Sequence, residues 1–174
     1  MITVICATNR PENVTRKAAE LYKQLLDKKK VENLLFSLEE LPIDFAFNND
    51  VYGNSSVDFH RVVEKYIVSA EKFVVIAPEY NGSIPGVFKT FIDGIKPEVL
   101  MGKKMAMVGV SAGRAGNLRG MDHLTNIVNY LDMEVYPFKV PISSVNSLMN
   151  GNGELTDVAM IETLQKQVDG FVKF

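Results

Sequence analysis

Three nearly continuous apolar runs, Ile2–Ala7, Phe73–Pro78 and Lys104–Ser111, constrain this chain more than any other feature. Each is too short for a buried helix and rich in β-branched residues, so each reads as a strand. A strand with one wet face alternates apolar with polar residues. A run without alternation is covered on both faces, which is the mark of a parallel sheet between helical layers. Weaker strands are expected at Val31–Leu38 and Glu134–Val140.

Helical stripes fill the intervals. They are Val14, Ala18, Leu21, Tyr22 and Leu25; Phe59, Val62, Val63, Tyr66, Ile67 and Ala70; Phe88, Phe91, Ile92 and Ile95, closed by Pro97; Met121, Leu124, Val128 and Leu131; and Ile161, Leu164, Val168 and Phe171, with Thr156 placed to cap the last helix. An irregular stretch surrounds Pro42 and Asn48-Asn49-Asp50, and a loop rich in Ser, Asn and Gly is expected over 141–155. The order βαβαβαβαβα, with right-handed crossovers, leaves a doubly wound sheet. The expected fold is α/β: a three-layer, five-stranded parallel sheet of strand order 2-1-3-4-5, flavodoxin-like, forming one domain over residues 1–174.

Charge narrows the partners. Nineteen basic residues against 21 acidic ones, a formal net charge of −2, provide no global field for nucleic acid or anionic lipid. Lys28-Lys29-Lys30 sits where a helix should end, and cations are favoured there. The lone cysteine, Cys6, allows no internal disulfide and lies within a buried run. No leader-like start and no apolar stretch of membrane length is present, so a cytoplasmic location with no membrane partner is expected.

In strand order 2-1-3-4-5 the loops leaving strands 1 and 3 part to opposite faces and open a crevice at the carboxyl ends. Three segments converge there. Ala7–Thr15 (ATNRPENVT) runs from strand to helix N-terminus, where free N–H groups and the dipole suit an anion. Thr8, Asn13 and Thr15 can donate, and Arg10 is a fixed cation; plain helix capping by Asn13 explains the segment equally well. Pro78–Gly86 (PEYNGSIPG) is a shaped turn whose amides can meet a planar ligand, with Ser83 placed to cap the next helix. Ser111–Asn117 (SAGRAGN) has glycines that permit close backbone approach.

These segments resemble the NADPH-dependent FMN reductase family, a flavodoxin-like group that includes flavin, quinone, azo-dye and chromate reductases. Pro78–Asp93 (PEYNGSIPGVFKTFID) is similar to the family's PEYN-x-S-x-PG-x-(L/F)-K-x-x-(I/L)-D signature, and Ser111–Gly116 to its SAG-x-x-G element. The first loop departs from the usual G-S-x-R-x-x-S-x-N: only Arg10 is identical among Ala7, Thr8, Arg10, Asn13 and Thr15. The resemblance implies that Thr8, Arg10, Asn13 and Thr15 hold the FMN phosphate. It places Pro78, Glu79, Tyr80, Asn81 and Ser83 along the isoalloxazine ring, and Ser111, Ala112, Gly113 and Gly116 at its other edge and the ribityl chain. It also implies NADPH or NADH as hydride donor, amides of Tyr80 and Asn81 toward the flavin, a small-molecule electron acceptor, and a homodimer or homotetramer. Phe88 and Phe91 are candidates for an apolar subunit surface.

Other readings are weaker. Gly109–Gly113 matches the G-x-S-x-G nucleophile elbow, but a triad would need His123, which lies on the helix that the elbow itself would start. His60 and His123 are isolated, without metal-site spacing, and no Walker A or G-x-G-x-x-G pattern is present. A flavodoxin-like electron carrier and a family member without flavin are the remaining alternatives.

Overall fold

The computed structural model describes residues 1–48 and 55–174; Asn49 and Asp50 of the expected irregular stretch lie outside them. The strands are β1 (Ile2–Cys6), β2 (Asn33–Ser37), β3 (Lys72–Pro78), β4 (Lys104–Val110), β5 (Glu134–Val135) and β6 (Val140–Ile142). All pair in parallel, in the order β2-β1-β3-β4-β5, with β6 also on β4. This is the expected doubly wound sheet. Its register aligns Cys6 with Ile76 and Pro78 with Val110, so the loops after β1, β3 and β4 leave from one edge.

The fifth strand differs from expectation. Glu134–Val140 is not continuous: β5 and β6 are two short segments that share one lane beside β4. Pro137 lies in the gap and has no N–H to give the ladder. Tyr136 N–H still reaches Met105 O at 2.8 Å, and Lys139 N–H turns back to Pro137 O. The buried Gln167 side chain bridges the break, donating to Met107 O (3.0 Å) and Phe138 O (2.6 Å).

Alternate strand residues divide the core. Val4, Cys6, Val74, Ile76, Ala106 and Val108 face α1 (Val14–Lys28) and α6 (Val158–Phe171). Ile5, Phe73, Val75, Met105 and Met107 face α2 (Val57–Val63), α3 (Gly86–Asp93) and α5 (Leu118–Tyr130). A short α4 (Pro97–Leu100) follows α3, with Pro97 at its first position rather than merely ending the helix before it. Phe88 and Phe91, candidates for a subunit surface, are each 1% exposed. Phe91 packs on Phe36 and Phe59 with ring centroids 5.2 and 5.9 Å apart, so the core claims it.

Helix ends follow local chemistry, with two corrections. α1 is capped by Asn13, whose Oδ1 accepts from Arg16 N–H at 2.7 Å. Asp157, not Thr156, caps α6: it stands directly before Val158 and accepts from Met160 N–H, while Thr156 N–H bonds Leu148 O. α3 has Pro85 before it and no side-chain cap, so Ser83 does not cap it. α2 continues through a π turn, Glu64–Val68, that keeps Tyr66 and Ile67 buried. Residues 141–155, expected as loop, hold the end of β6, a 3₁₀ turn at Val145–Leu148 and a bridge from Met149 to Leu155. Among the described residues, no helix is long and apolar enough to cross a membrane.

Candidate functional site

Each of the three sequence-selected loops is shaped by conformations its residues favour. Asn81 (φ 51°) and Gly82 (φ 76°) are the two central residues of a tight turn with positive φ at both, a form that Asn-Gly takes readily. The turn is closed by two bonds, Tyr80 N–H to Ser83 O (2.9 Å) and Ser83 N–H to Tyr80 O (3.0 Å). The Tyr80 amide is therefore used inside the hairpin and is not free for a ligand, contrary to the sequence-based expectation. The Asn81 and Gly82 N–H groups make no hydrogen bond among the described residues.

The loop after β4 is wound on Ser111. Its buried hydroxyl donates to Gly113 O (2.6 Å) and accepts from Gly116 N–H (2.8 Å). The N–H groups of Ala112, Gly113, Arg114 and Ala115 make no hydrogen bond among the described residues, and none of their heavy atoms lies within 4 Å of where a Cβ on Gly113 would stand. Gly116 takes φ 56° against Pro141 and Ser143, and its carbonyl passes so close to Gly109 that a Cβ there would collide with it. These glycines let the loop lie back on the sheet edge.

In the first loop Asn13 is buried, and both side-chain polar atoms are engaged. Besides capping α1 it donates one N–H to Arg10 O at 2.6 Å and accepts weakly from Cys6 Sγ at 3.4 Å. Asn13 therefore shapes the loop through the capping that the sequence left open. Thr15 is buried, and its hydroxyl makes no hydrogen bond among the described residues. Burial pushes the Cys6 thiol up to about 12, so it stays protonated beneath the loop.

Side chains tie the loops together. Thr8 Oγ1 and the Tyr80 hydroxyl lie 3.0 Å apart, joining the first loop to the second. Glu79 N–H bonds Val110 O, and its carboxylate accepts from Asn117 N–H at 3.3 Å, joining the second to the third. Asn117, in the left-handed region and fully buried, donates to Ala77 O (3.0 Å) and Pro78 O (3.1 Å). Sequence reasoning ended a segment at Asn117 without assigning it a role. Its signal was an Asn directly after Gly116 at a helix start, a position suited to positive φ. Ser83 and His123 also meet, Oγ to Nδ1 at 2.8 Å, a pairing across 40 residues that the sequence did not suggest.

Charge completes the site. Of five arginines, Arg16 and Arg61 pair with carboxylates. Arg10, Arg114 and Arg119, which stand on or beside the loops, have no ion pair among the described residues. Unpaired guanidinium groups and free amides suit a phosphate, and outward amides suit the carbonyl edge of a flat heterocycle. The donor set fits FMN. It does not fit a serine hydrolase, since Ser111 Oγ is held by its own loop while His123 turns to Ser83.

Comparison with known proteins agrees with this geometry. A sequence profile described as NADPH-dependent FMN reductase matches residues 1–146. An NAD(P)H-dependent FMN reductase of Pseudomonas aeruginosa is 36% identical over 131 residues, 70% of this chain and 68% of the relative. A quinone reductase of Escherichia coli is 29% identical over 150 residues, 82% of this chain and 77% of the relative. Among solved structures, the flavoenzyme NAD(P)H:(acceptor) oxidoreductase FerB from Paracoccus denitrificans superposes with a TM-score of 0.78 at 23% identity, covering 99% of this chain and 94% of that one. Three donor-bearing loops at one sheet edge, together with a profile match over most of the chain, lead to one assignment: this chain belongs to the NADPH-dependent FMN reductase family of flavoprotein oxidoreductases.

Proposed function

We propose that the chain reduces a small quinone-type acceptor with NAD(P)H through FMN held by its three loops, in two successive half-reactions on one face of the ring. The observation that carries this reading is the concentration, at a single sheet edge, of donors without a partner among the described residues: amides of Asn81, Gly82 and Ala112–Ala115, and the cations of Arg10, Arg114 and Arg119. A quinone reductase among the relatives supports the acceptor class. Free flavin, azo compounds and chromate are the other acceptors that the resemblance implies.

Arg10, Thr8 and the first-loop amides would hold the phosphate, with Asn13 keeping Arg10's backbone in place through its 2.6 Å bond. Pro78, Glu79, Tyr80, Asn81 and Ser83 would border the ring. Ser111, Ala112, Gly113 and Gly116 would line the opposite edge, where the Ala112 and Gly113 amides have no hydrogen-bond partner among the described residues. Thr15, being buried, would act by supporting the loop. When bound, FMN supplies the hydride chemistry, and the protein tunes it through these hydrogen bonds. The chain's own part is to orient ring and acceptor, and the open space beside Gly113 leaves room for close approach. Residues 1–174 would act as one FMN-binding unit.

The test is an absorption spectrum of the purified protein, reconstituted with FMN where needed, followed by anaerobic NADPH and then benzoquinone. A flavin spectrum that bleaches on the first addition and returns on the second is expected. A protein that FMN cannot restore, or one that NADPH does not reduce, would refute the reading. Fast bleaching without steady-state turnover on small acceptors would indicate an electron carrier.

A further inference from the structure

The Ser83–His123 contact joins the hairpin to α5 and serves neither the turn nor a helix cap. Ser83 N–H and C=O already close the hairpin with Tyr80, and its hydroxyl does not cap α3. His123 is exposed on α5 and makes no ion pair among the described residues, whereas His60, the other histidine, stands near Glu64 on α2. Yet Ser83 Oγ and His123 Nδ1 lie 2.8 Å apart, with the serine on the hairpin that borders the proposed ring site.

Reduction of a carbonyl-type acceptor needs a proton as well as a hydride. The loops offer few sources. Arginines do not release protons. The Glu79 carboxylate accepts from Asn117 N–H, and the Tyr80 hydroxyl is held by Thr8. Imidazole is the side chain that exchanges its proton near neutral pH. The charged groups on the elements around it are Arg119, one turn earlier on α5; Asp122, bound to Lys139 at 3.2 Å; Glu79 on the hairpin; Arg114 on the third loop; and Lys89 on α3, bound to Asp93 at 2.7 Å. The nearby carboxylates are thus engaged elsewhere, and Arg119 is the like charge on the same helical face.

We propose that Ser83 and His123 form a two-membered proton relay for a quinone-type acceptor, Ser83 touching the acceptor and His123 holding the proton behind it. This rests on the function proposed above. The NAD(P)H-linked activity supplies the hydride with both electrons. As the acceptor oxygen gains its proton, the Ser83 O–H bond breaks; the Nδ1–H bond of the imidazolium breaks as the Ser83 O–H bond re-forms. The exposed ring, left neutral with its proton on Nε2, takes one back from water. In the resting neutral state the direction reverses, and Ser83 donates to Nδ1.

The experiment compares two acceptors on the FMN-loaded protein: benzoquinone, which must be protonated, and ferricyanide, which takes single electrons and no proton. General-acid assistance is worth roughly 10²–10⁴-fold. At an exposed site where water competes, S83A and H123N are each expected to slow reoxidation by benzoquinone at least about tenfold. H123N should also change the pH profile of that reaction, and leave ferricyanide reduction unchanged. The FMN affinity of H123N, read by quenching of flavin fluorescence, should stay within about threefold, and added imidazole should restore benzoquinone reduction in H123A. In the flavin-free protein, ring-nitrogen NMR above the imidazole range should show the Nε2–H tautomer, lost on S83A. If H123N treats both acceptors as the parent does, or slows both alike, the relay is wrong. If the parent binds no FMN, or is not reduced by NADPH, the function reading itself fails.

Discussion

Replacing Asn117 by alanine isolates the residue that locks two of the loops to the sheet. The side chain donates to Ala77 O and Pro78 O from a fully buried position, and the loss of each bond should cost about 1.5 kcal/mol. Alanine at φ 58° adds about 1 kcal/mol, because its Cβ crowds the following carbonyl. Removal of the buried Oδ1, which has no partner, returns about 1 kcal/mol. The net loss is about 3 kcal/mol, which for a chain of this length lowers Tm by roughly 6–12 °C. Urea titration and calorimetry measure it. N117G, which relieves the backbone but still lacks the donors, should be less damaging than N117A. N117D should be worse than N117A, since it turns an acceptor toward two carbonyls. A loss below about 1 kcal/mol for N117A would refute the assignment of the stabilisation to these two bonds, and a glycine variant less stable than the alanine one would refute the strain at φ 58°.

G109A should expel the Gly116 carbonyl from its place and displace the third loop, so FMN affinity should fall at least about tenfold, more steeply than stability; flavin fluorescence against calorimetry separates the two. N13A removes the α1 cap and the bond to Arg10 O, lowering stability by about 1 kcal/mol in urea titration and raising the FMN dissociation constant. Cys6 should resist alkylation in the native state at pH 8–9, and react fully once unfolded. Its raised thiol pKa also predicts a pH effect. The native state holds the proton while the unfolded chain releases it near 9, so stability is intact below that pH and falls as pH climbs toward about 12. The slope is at most about 1.4 kcal/mol per pH unit, and C6A should remove that portion of the decline in urea titrations across this range.

The layer architecture was legible because burial on both faces leaves a direct trace: Phe73–Pro78 has no polar alternation, and that alone demands helices above and below. The Asn81-Gly82 turn was legible for a similar reason, since positive φ at both positions restricts the residues that fit. Expectations failed where two local solutions compete or where a distant partner intervenes. Thr156 and Asp157 both can cap, and the outcome depended on where α6 begins against Leu148. Ser83 had the spacing of a cap, but its hydroxyl found an imidazole 40 residues away. Phe88 and Phe91 had the periodicity of any apolar face, and only packing against Phe36 and Phe59 decided that the core owns it.

Sequence alone determined the sheet, its strand order and the three loops that meet at its edge, because those follow from periodicity and backbone preference, which act within a few residues. The tertiary structure decided which donors in those loops remain free: Tyr80 N–H closes its own hairpin and an Asn13 side-chain N–H goes to Arg10 O, while the amides of Asn81, Gly82 and Ala112–Ala115 find no partner among the described residues. Hydrogen bonds are satisfied by whatever the fold brings near, and that inventory exists only once the chain has closed on itself.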